Sequence, residues 1–189
     1  RELNIYSEIH PYNKMPEIDG SWQAVILSGS PHSVREKAAP IADLSLIKGK
    51  LPLLGICYGA QHLVHHFGGE VLHSNNREYG RANLSFVDSD TKLMKGVSSD
   101  SEVWMSHGDT ISTIPKNYKV LASTNDVKVA AFKSEDEPTY ALQFHPEVYH
   151  SKDGGLILNN FLVEICDLSQ DWNPATFVEE TVSNLKKKL

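Results

Sequence analysis

The sequence predicts an α/β domain built on a parallel sheet, and three observations carry that expectation. Residues 51–56 form an apolar run of strand character that enters the turn Gly55-Ile56-Cys57-Tyr58-Gly59 and then a helical stretch with Leu63, Val64 and Phe67 at helical spacing. Residues 24–27 form a second short apolar run without polar alternation, as expected of a parallel strand buried on both faces. Tyr118 to Ala122 and Lys128 to Phe132, separated by Asn125-Asp126, add consecutive antiparallel strands. A chain of 189 residues is long enough for one such domain with a full core.

Taken in order, residues 4–10 read as a strand of mixed alternation, and Pro11 and Pro16 bound the loop that follows. Ser28-Gly29-Ser30-Pro31 turns the chain after the 24–27 strand. Residues 43–48 read as a short helix before the Gly49-Lys50 turn and the 51–56 strand, and Gly68-Gly69 stops the helix after Cys57. Strands are expected from Val71 onward, over 84–87, and over 103–105, with Ser106-His107-Gly108-Asp109 closing the last of these. Glu135-Asp136-Glu137-Pro138 is a charged turn before a strand over 140–144. Leu156, Ile157, Asn160, Phe161, Val163 and Glu164 run through a helix with one apolar side, and residues 176–189 read as a final helix whose lysines suit its C-terminal end.

Composition narrows the function classes. Eighteen basic against 24 acidic residues give a net charge of −6, and no basic patch precedes Lys186-Lys187-Lys188, which argues against nucleic-acid binding. The longest apolar runs are far short of a membrane span, and no signal peptide is visible. Two cysteines, Cys57 and Cys166, make no disulfide framework, and a free nucleophilic thiol suits a reducing cytosol. His62 and His66 form an i,i+4 pair, but no Glu completes a His-Glu-x-x-His motif, so no metal site is expected and these histidines read as packing or surface residues.

The chemistry concentrates at two places. A side chain at a tight strand-to-helix turn projects from the end of the sheet, and the new helix's first N–H groups and dipole favour negative charge beside it. Cys57 occupies that position, with glycines two residues away on both sides. A cysteine nucleophile needs a base within hydrogen-bond reach, and the base needs a third group to orient it. Phe144-His145-Pro146-Glu147 supplies both after a strand, with Pro146 keeping His145 out of a helix. The sequence alone does not bring 57 and 145 together, but the C-terminal edge of a parallel sheet is where such residues converge.

Gly55-Ile56-Cys57-Tyr58-Gly59-Ala60-Gln61 and His145-Pro146-Glu147 resemble the two signatures of the class I, or triad, glutamine amidotransferases, and the resemblance spans nearly the whole chain. More narrowly, Ile26-Leu27-Ser28-Gly29-Ser30-Pro31, Arg77-Glu78-Tyr79-Gly80, Val103-Trp104-Met105-Ser106-His107-Gly108-Asp109 and the helix from Leu156 to Phe161 resemble the glutaminase domains of bacterial GMP synthetases. This resemblance implies a three-layer α/β fold, flavodoxin-like, with a mostly parallel central sheet flanked by helices and a small antiparallel extension. It places the family's first strand and most of its first helix before Arg1, and a synthetase domain outside this chain.

The resemblance implies Cys57, His145 and Glu147 as the catalytic triad, and Tyr58 with Gly29 and Ser30 as the oxyanion hole. It implies Gln61, Ser106, His107 and Asp109 as substrate-binding residues, and Arg77 and Tyr79 for positioning or domain contact. Ser30 departs from the usual glycine pair, which matters only if that position needs positive φ. His107 is a second candidate base, ranked below His145. The implied activity is glutamine hydrolysis, with ammonia passed to an ATP pyrophosphatase domain that aminates xanthosine 5′-monophosphate to GMP. No cofactor is expected in this chain, and ATP and magnesium belong to that partner. The competing readings are the glutaminase component of an anthranilate, aminodeoxychorismate or carbamoyl phosphate enzyme, a non-catalytic module of the same fold, and a cysteine peptidase or γ-glutamyl hydrolase.

Overall fold

A computed structural model describes residues 1–175, 182 and 186, with residues 75–78 described as backbone only. The helix expected over 176–189 lies outside the described residues as a whole.

The centre of the fold is a strand that cannot face water on either side. In β2, Leu53–Ile56, all four residues are buried. Leu53 packs with Leu44, Ile47, Leu63 and Phe132 in one core, whereas Leu54 and Ile56 pack with Met105, Leu142, Phe144, Ile157 and Phe161 in another. Period-2 alternation thus sends one apolar set to each face, which is why the strand reads as an unbroken apolar run. β1, Val25–Leu27, and β7, Thr139–Leu142, flank β2 in parallel register.

Beyond β7 the sheet changes character. With β3 at Glu70–Val87, β4 at Glu102–Thr113, β5 at Tyr118–Thr124 and β6 at Ala131–Ser134, the seven-stranded order is β1-β2-β7-β6-β5-β3-β4. Every pairing from β7 to β4 is antiparallel. The expectation of a mostly parallel sheet is therefore corrected: the parallel part is β1, β2 and β7, and the antiparallel part is the larger. The physical reason is connection length, since the short turns at 125–130 and 135–138 can join only antiparallel neighbours.

Among the described residues, one helix packs on each face. α1, Tyr58–His66, buries Leu63 and Val64 against the first core and ends where Gly68 takes a φ of 84°. α2, Gly154–Asn159, continues without a break as a π-helical segment, Asn160–Ile165, and sets Ile157 and Phe161 against the second core. Residues 43–48 form less helix than expected, a single 3₁₀ turn at Leu44–Leu46 whose cap Asp43 accepts a hydrogen bond from the Ser45 N–H at 3.0 Å. Among the described residues, no helix is long and apolar enough to cross a membrane.

Two further expectations are corrected. Residues 4–10 form no strand: their backbone has no ladder partner, and the Asn4 and Ser7 carbonyls are taken instead by the Trp172 N–H and the Arg1 side chain. The 103–105 strand does not close at Ser106 but runs on to Thr113, because the alternation Val103, Met105, His107, Asp109, Ile111 keeps one side of β4 buried throughout.

Glycine is required where α1 crosses β1. A β-carbon on Gly59 would overlap the Leu27 carbonyl oxygen and lie 2.7 Å from Leu27 Cβ, whereas one on Gly155 meets nothing within 4 Å. Gly59→Ala is expected to lower stability by about 1–3 kcal/mol through overpacking. Gly155→Ala should hold or raise it by about 0.4–1 kcal/mol through unfolded-state entropy. Urea denaturation midpoints of the two variants check this, and equal shifts would contradict the packing argument.

Candidate active site

Cys57 sits where the ladder ends and the helix begins. Its N–H donates to the Leu142 carbonyl at 2.8 Å, continuing the β2–β7 register, and its own carbonyl accepts from the Gln61 N–H at 3.1 Å, starting α1. Meeting both demands puts the residue at φ 51°, ψ −104°, in left-handed territory that side-chain-bearing residues avoid. Glycine at 55 is the steric condition: a β-carbon there would lie 2.8 Å from the Ala60 nitrogen. The turn thereby aims the Cys57 side chain out of the sheet, with the first N–H groups of α1 beside it.

His145 reaches Cys57 because β2 and β7 are parallel neighbours. After β7 the Gln143 N–H donates to the Ala130 carbonyl, just before β6, and the His145 N–H to the Trp104 carbonyl of β4 at 3.0 Å, which steers the chain toward the turn. The imidazole then stands beside Cys57 on one side, and its Nδ1 lies 2.7 Å from Glu147 Oε1 on the other. Two residues outside the expected set hold this turn. Ser151 Oγ donates to the His145 carbonyl at 2.6 Å and accepts from the Trp104 N–H at 3.0 Å, and Gly154 packs so closely on Pro146 that a β-carbon would overlap its carbonyl. Nothing in their local sequence marks them, since both act through tertiary contacts.

The two histidines near the sulfur differ in charge. The adjacent Cys57 sulfur and then the Glu147 hydrogen bond outweigh burial and push His145 up to about 10. Burial works to raise the Glu147 carboxyl, but its hydrogen bond and proximity to His145 hold it below the usual range. Burial pushes His107 down to about 4, with His145 adding to the effect against the backbone and carboxylate of Asp109. At neutral pH, His145 is therefore the imidazolium and His107 a neutral ring.

The remaining expected residues surround this core unequally. Gly29 lies against it, since a β-carbon there would be 3.2 Å from His145 Cε1 and 3.9 Å from Cys57 Cβ. Neither Gly29 nor Ser30 has positive φ, so serine at 30 is unstrained, and its Oγ accepts from the His32 N–H at 3.2 Å. The Ser106 carbonyl faces Cys57 Sγ at 3.7 Å. Tyr58 is buried, and its hydroxyl donates to the Pro40 carbonyl.

Gln61 points away from the solvent side: its amide donates to the Asp109 carbonyl at 2.9 Å and to Gln143 at 3.4 Å, with only 3% of the residue exposed. Asp109 is itself 7% exposed, and its carboxylate meets Ser33, Arg35 and His73. Tyr79 is exposed on β3 opposite Ser106, with its hydroxyl near Gly108, while the Arg77 side chain lies outside the described residues. Among the described residues, no group of three or more His, Cys, Asp or Glu is placed to hold a metal ion, and His62 Nε2 lies 3.1 Å from the Ala42 carbonyl.

The charge assignment has a measurable sign. An unfolded histidine titrates at about 6.5, so the His145 contribution to folding is complete below that value and is lost as pH rises through about 10. In an NMR titration, Cys57→Ala should lower the His145 midpoint more than Glu147→Gln does, because Cys57 is the larger cause. A larger fall in Glu147→Gln, or no fall in either, would contradict the arrangement.

This geometry can be set beside known proteins. The glutamine amidotransferase class-I family model matches residues 1–165. The chain is 59% identical over its full length to a GMP synthase (glutamine-hydrolyzing) of Cytophaga hutchinsonii and 54% identical to one of Phocaeicola vulgatus, and it spans 37% of the length of each. A solved structure from Thermoplasma acidophilum, named for one component of a GMP synthase, is similar with a TM-score of 0.68 and 32% identity, over 86% of this chain and 77% of that one. A glutamine amidotransferase of Thermotoga maritima shares the fold with a TM-score of 0.61 at 23% identity, over 85% and 72%. With the family's model matched over most of its length, the chain belongs to the class I glutamine amidotransferases.

Proposed function

We propose that this chain hydrolyses the side-chain amide of glutamine to glutamate and ammonia, with Cys57 as nucleophile. The observation that carries the reading is one imidazole, His145, set beside Cys57 on one side and hydrogen-bonded through Nδ1 to Glu147 at 2.7 Å on the other. The thiolate sulfur attacks the amide carbon, and the electron pair displaced onto oxygen is received by the Tyr58 N–H and an N–H of the Gly29–Ser30 loop. His145 gives its proton to the amide nitrogen, the C–N bond breaks, and ammonia leaves a γ-glutamyl thioester. His145, now neutral, takes a proton from water; the hydroxyl attacks the thioester, and the C–S bond breaks to give glutamate and the starting pair. Glu147 holds the imidazole's orientation and stabilises its charged form.

We further propose that the ammonia serves an ATP-dependent synthetase domain that aminates xanthosine 5′-monophosphate to GMP, in the cytosol. The support is the name borne by relatives 51–59% identical over the whole chain, together with the 63% of their length that lies outside the match, 100 less the 37% covered. ATP and magnesium belong to that partner's chemistry. The steps proposed for this chain use its own side chains and backbone groups.

Ammonia release from glutamine tests both parts. Cys57→Ala should fall to background, and His145→Ala should lose about 10²–10⁴-fold. Release by the wild type should rise when the synthetase domain, ATP and xanthosine 5′-monophosphate are present together. Release that survives Cys57→Ala would contradict the nucleophile assignment. Stimulation by a different synthase's acceptor would redirect the partner.

A further inference from the structure

We propose that Asp109 is a positioning residue, which latches the loop of residues 28–36 through Ser33 and thereby fixes the oxyanion donors of the Gly29–Ser30 segment relative to Cys57. The inference rests on the hydrolysis reading above and gives Asp109 a role other than the substrate contact expected from sequence.

The carboxylate is taken up by partners within the protein. It is buried, and both of its oxygens are engaged within the protein. Oδ2 accepts from the Ser33 hydroxyl, while Oδ1 lies 3.3 Å from His73 Nδ1 and 3.7 Å from Arg35 Nη1. The backbone of the same residue takes the Gln61 amide, so Asp109 joins the loop after β1, α1, β3 and β4. A carboxylate withdrawn from water is stable only when such donors surround it.

The loop is built to transmit that hold. Val34 is buried in the core beneath α1, next to Ser33, and gives an apolar anchor beside the polar one. Between the latch and Gly29 stand only Ser30, Pro31 and His32. Pro31 has a fixed φ, Ser30 Oγ accepts from the His32 N–H, and Ser33 Oγ accepts from the Arg35 N–H at 3.2 Å. At the far end, Gly29 lies beside the His145 ring, where an added β-carbon would come within 3.2 Å of Cε1. A shift at Ser33 therefore moves the loop's donors relative to the sulfur, and a small displacement of a donor weakens stabilisation of the transition state.

The test uses the full-length protein, with kcat and KM for glutamine measured per folded enzyme and amide hydrogen exchange followed over residues 29–36. Ser33→Ala should lower kcat about ten-fold, short of the roughly 10²–10³-fold for outright loss of an oxyanion donor. Its KM should stay within two-fold, and exchange in the loop should quicken. Ser33→Thr, which keeps the hydroxyl, should restore kcat. Asp109→Ala, with its fold checked by circular dichroism, should be no worse when combined with Ser33→Ala than alone, as expected of two residues acting through one contact. Unchanged kcat and exchange in Ser33→Ala, additive losses in the pair, or a rise in KM at constant kcat would overturn the proposal. If the wild type releases no ammonia from glutamine, the hydrolysis reading falls separately. The exchange measurement then decides the latch: unchanged exchange in Ser33→Ala overturns it, and faster exchange supports it.

Discussion

The structure depends on one strained residue. Cys57 must end the β2 ladder on Leu142 and begin α1 on Gln61, and no ordinary backbone conformation does both. Holding a side-chain-bearing residue at positive φ costs on the order of 1–3 kcal/mol. The compensation lies in its surroundings: a strand buried on both faces, glycine at 55 where helix backbone closes in, and glycine at 59 where β1 does. A cysteine in a relaxed turn would lie flatter against the sheet and would not present its sulfur to a residue from the neighbouring strand.

Around that point the protein separates two histidines by environment. His145 stands between a sulfur and a carboxylate and holds a proton, whereas His107, on the buried side of β4, is kept neutral by desolvation. A second imidazolium there would repel the first and lower its charge. In the proposed mechanism, neutral His107 leaves Cys57 and His145 with one mobile proton to exchange between nucleophile and base. β4 thus serves as a wall of the site: Ser106 faces the sulfur, His107 stays uncharged, and Asp109 ties the neighbouring loop.

What can be read in the sequence follows from which signals are local. The 51–56 run, the glycines around Cys57 and the His-Pro-Glu turn are local, and they place the elbow, the helix after it and the candidate base with its carboxylate. The sheet's direction is harder to read. Short apolar strands look alike whether parallel or antiparallel, and the antiparallel run of β5, β6 and β7 is decided by the short turns that join them. The end of β4 is hidden for a related reason: Gly108 and Asp109 carry turn chemistry, but buried alternation from Val103 to Ile111 overrides it. The contacts of Ser151, Gly154, Ser33 and His73 have no sequence signal at all, because each joins segments that are not neighbours in the chain.

The central claim is that the turn at residue 57 makes one of the protein's two cysteines a nucleophile toward glutamine. Peptide mass spectrometry after treatment with an electrophilic glutamine analogue tests it most directly, because Cys166 is an internal control whose thiol burial pushes up to about 12. The account predicts a single adduct, confined to Cys57 and suppressed by excess glutamine. An adduct on Cys166, or labelling of Cys57 that glutamine does not suppress, would contradict it.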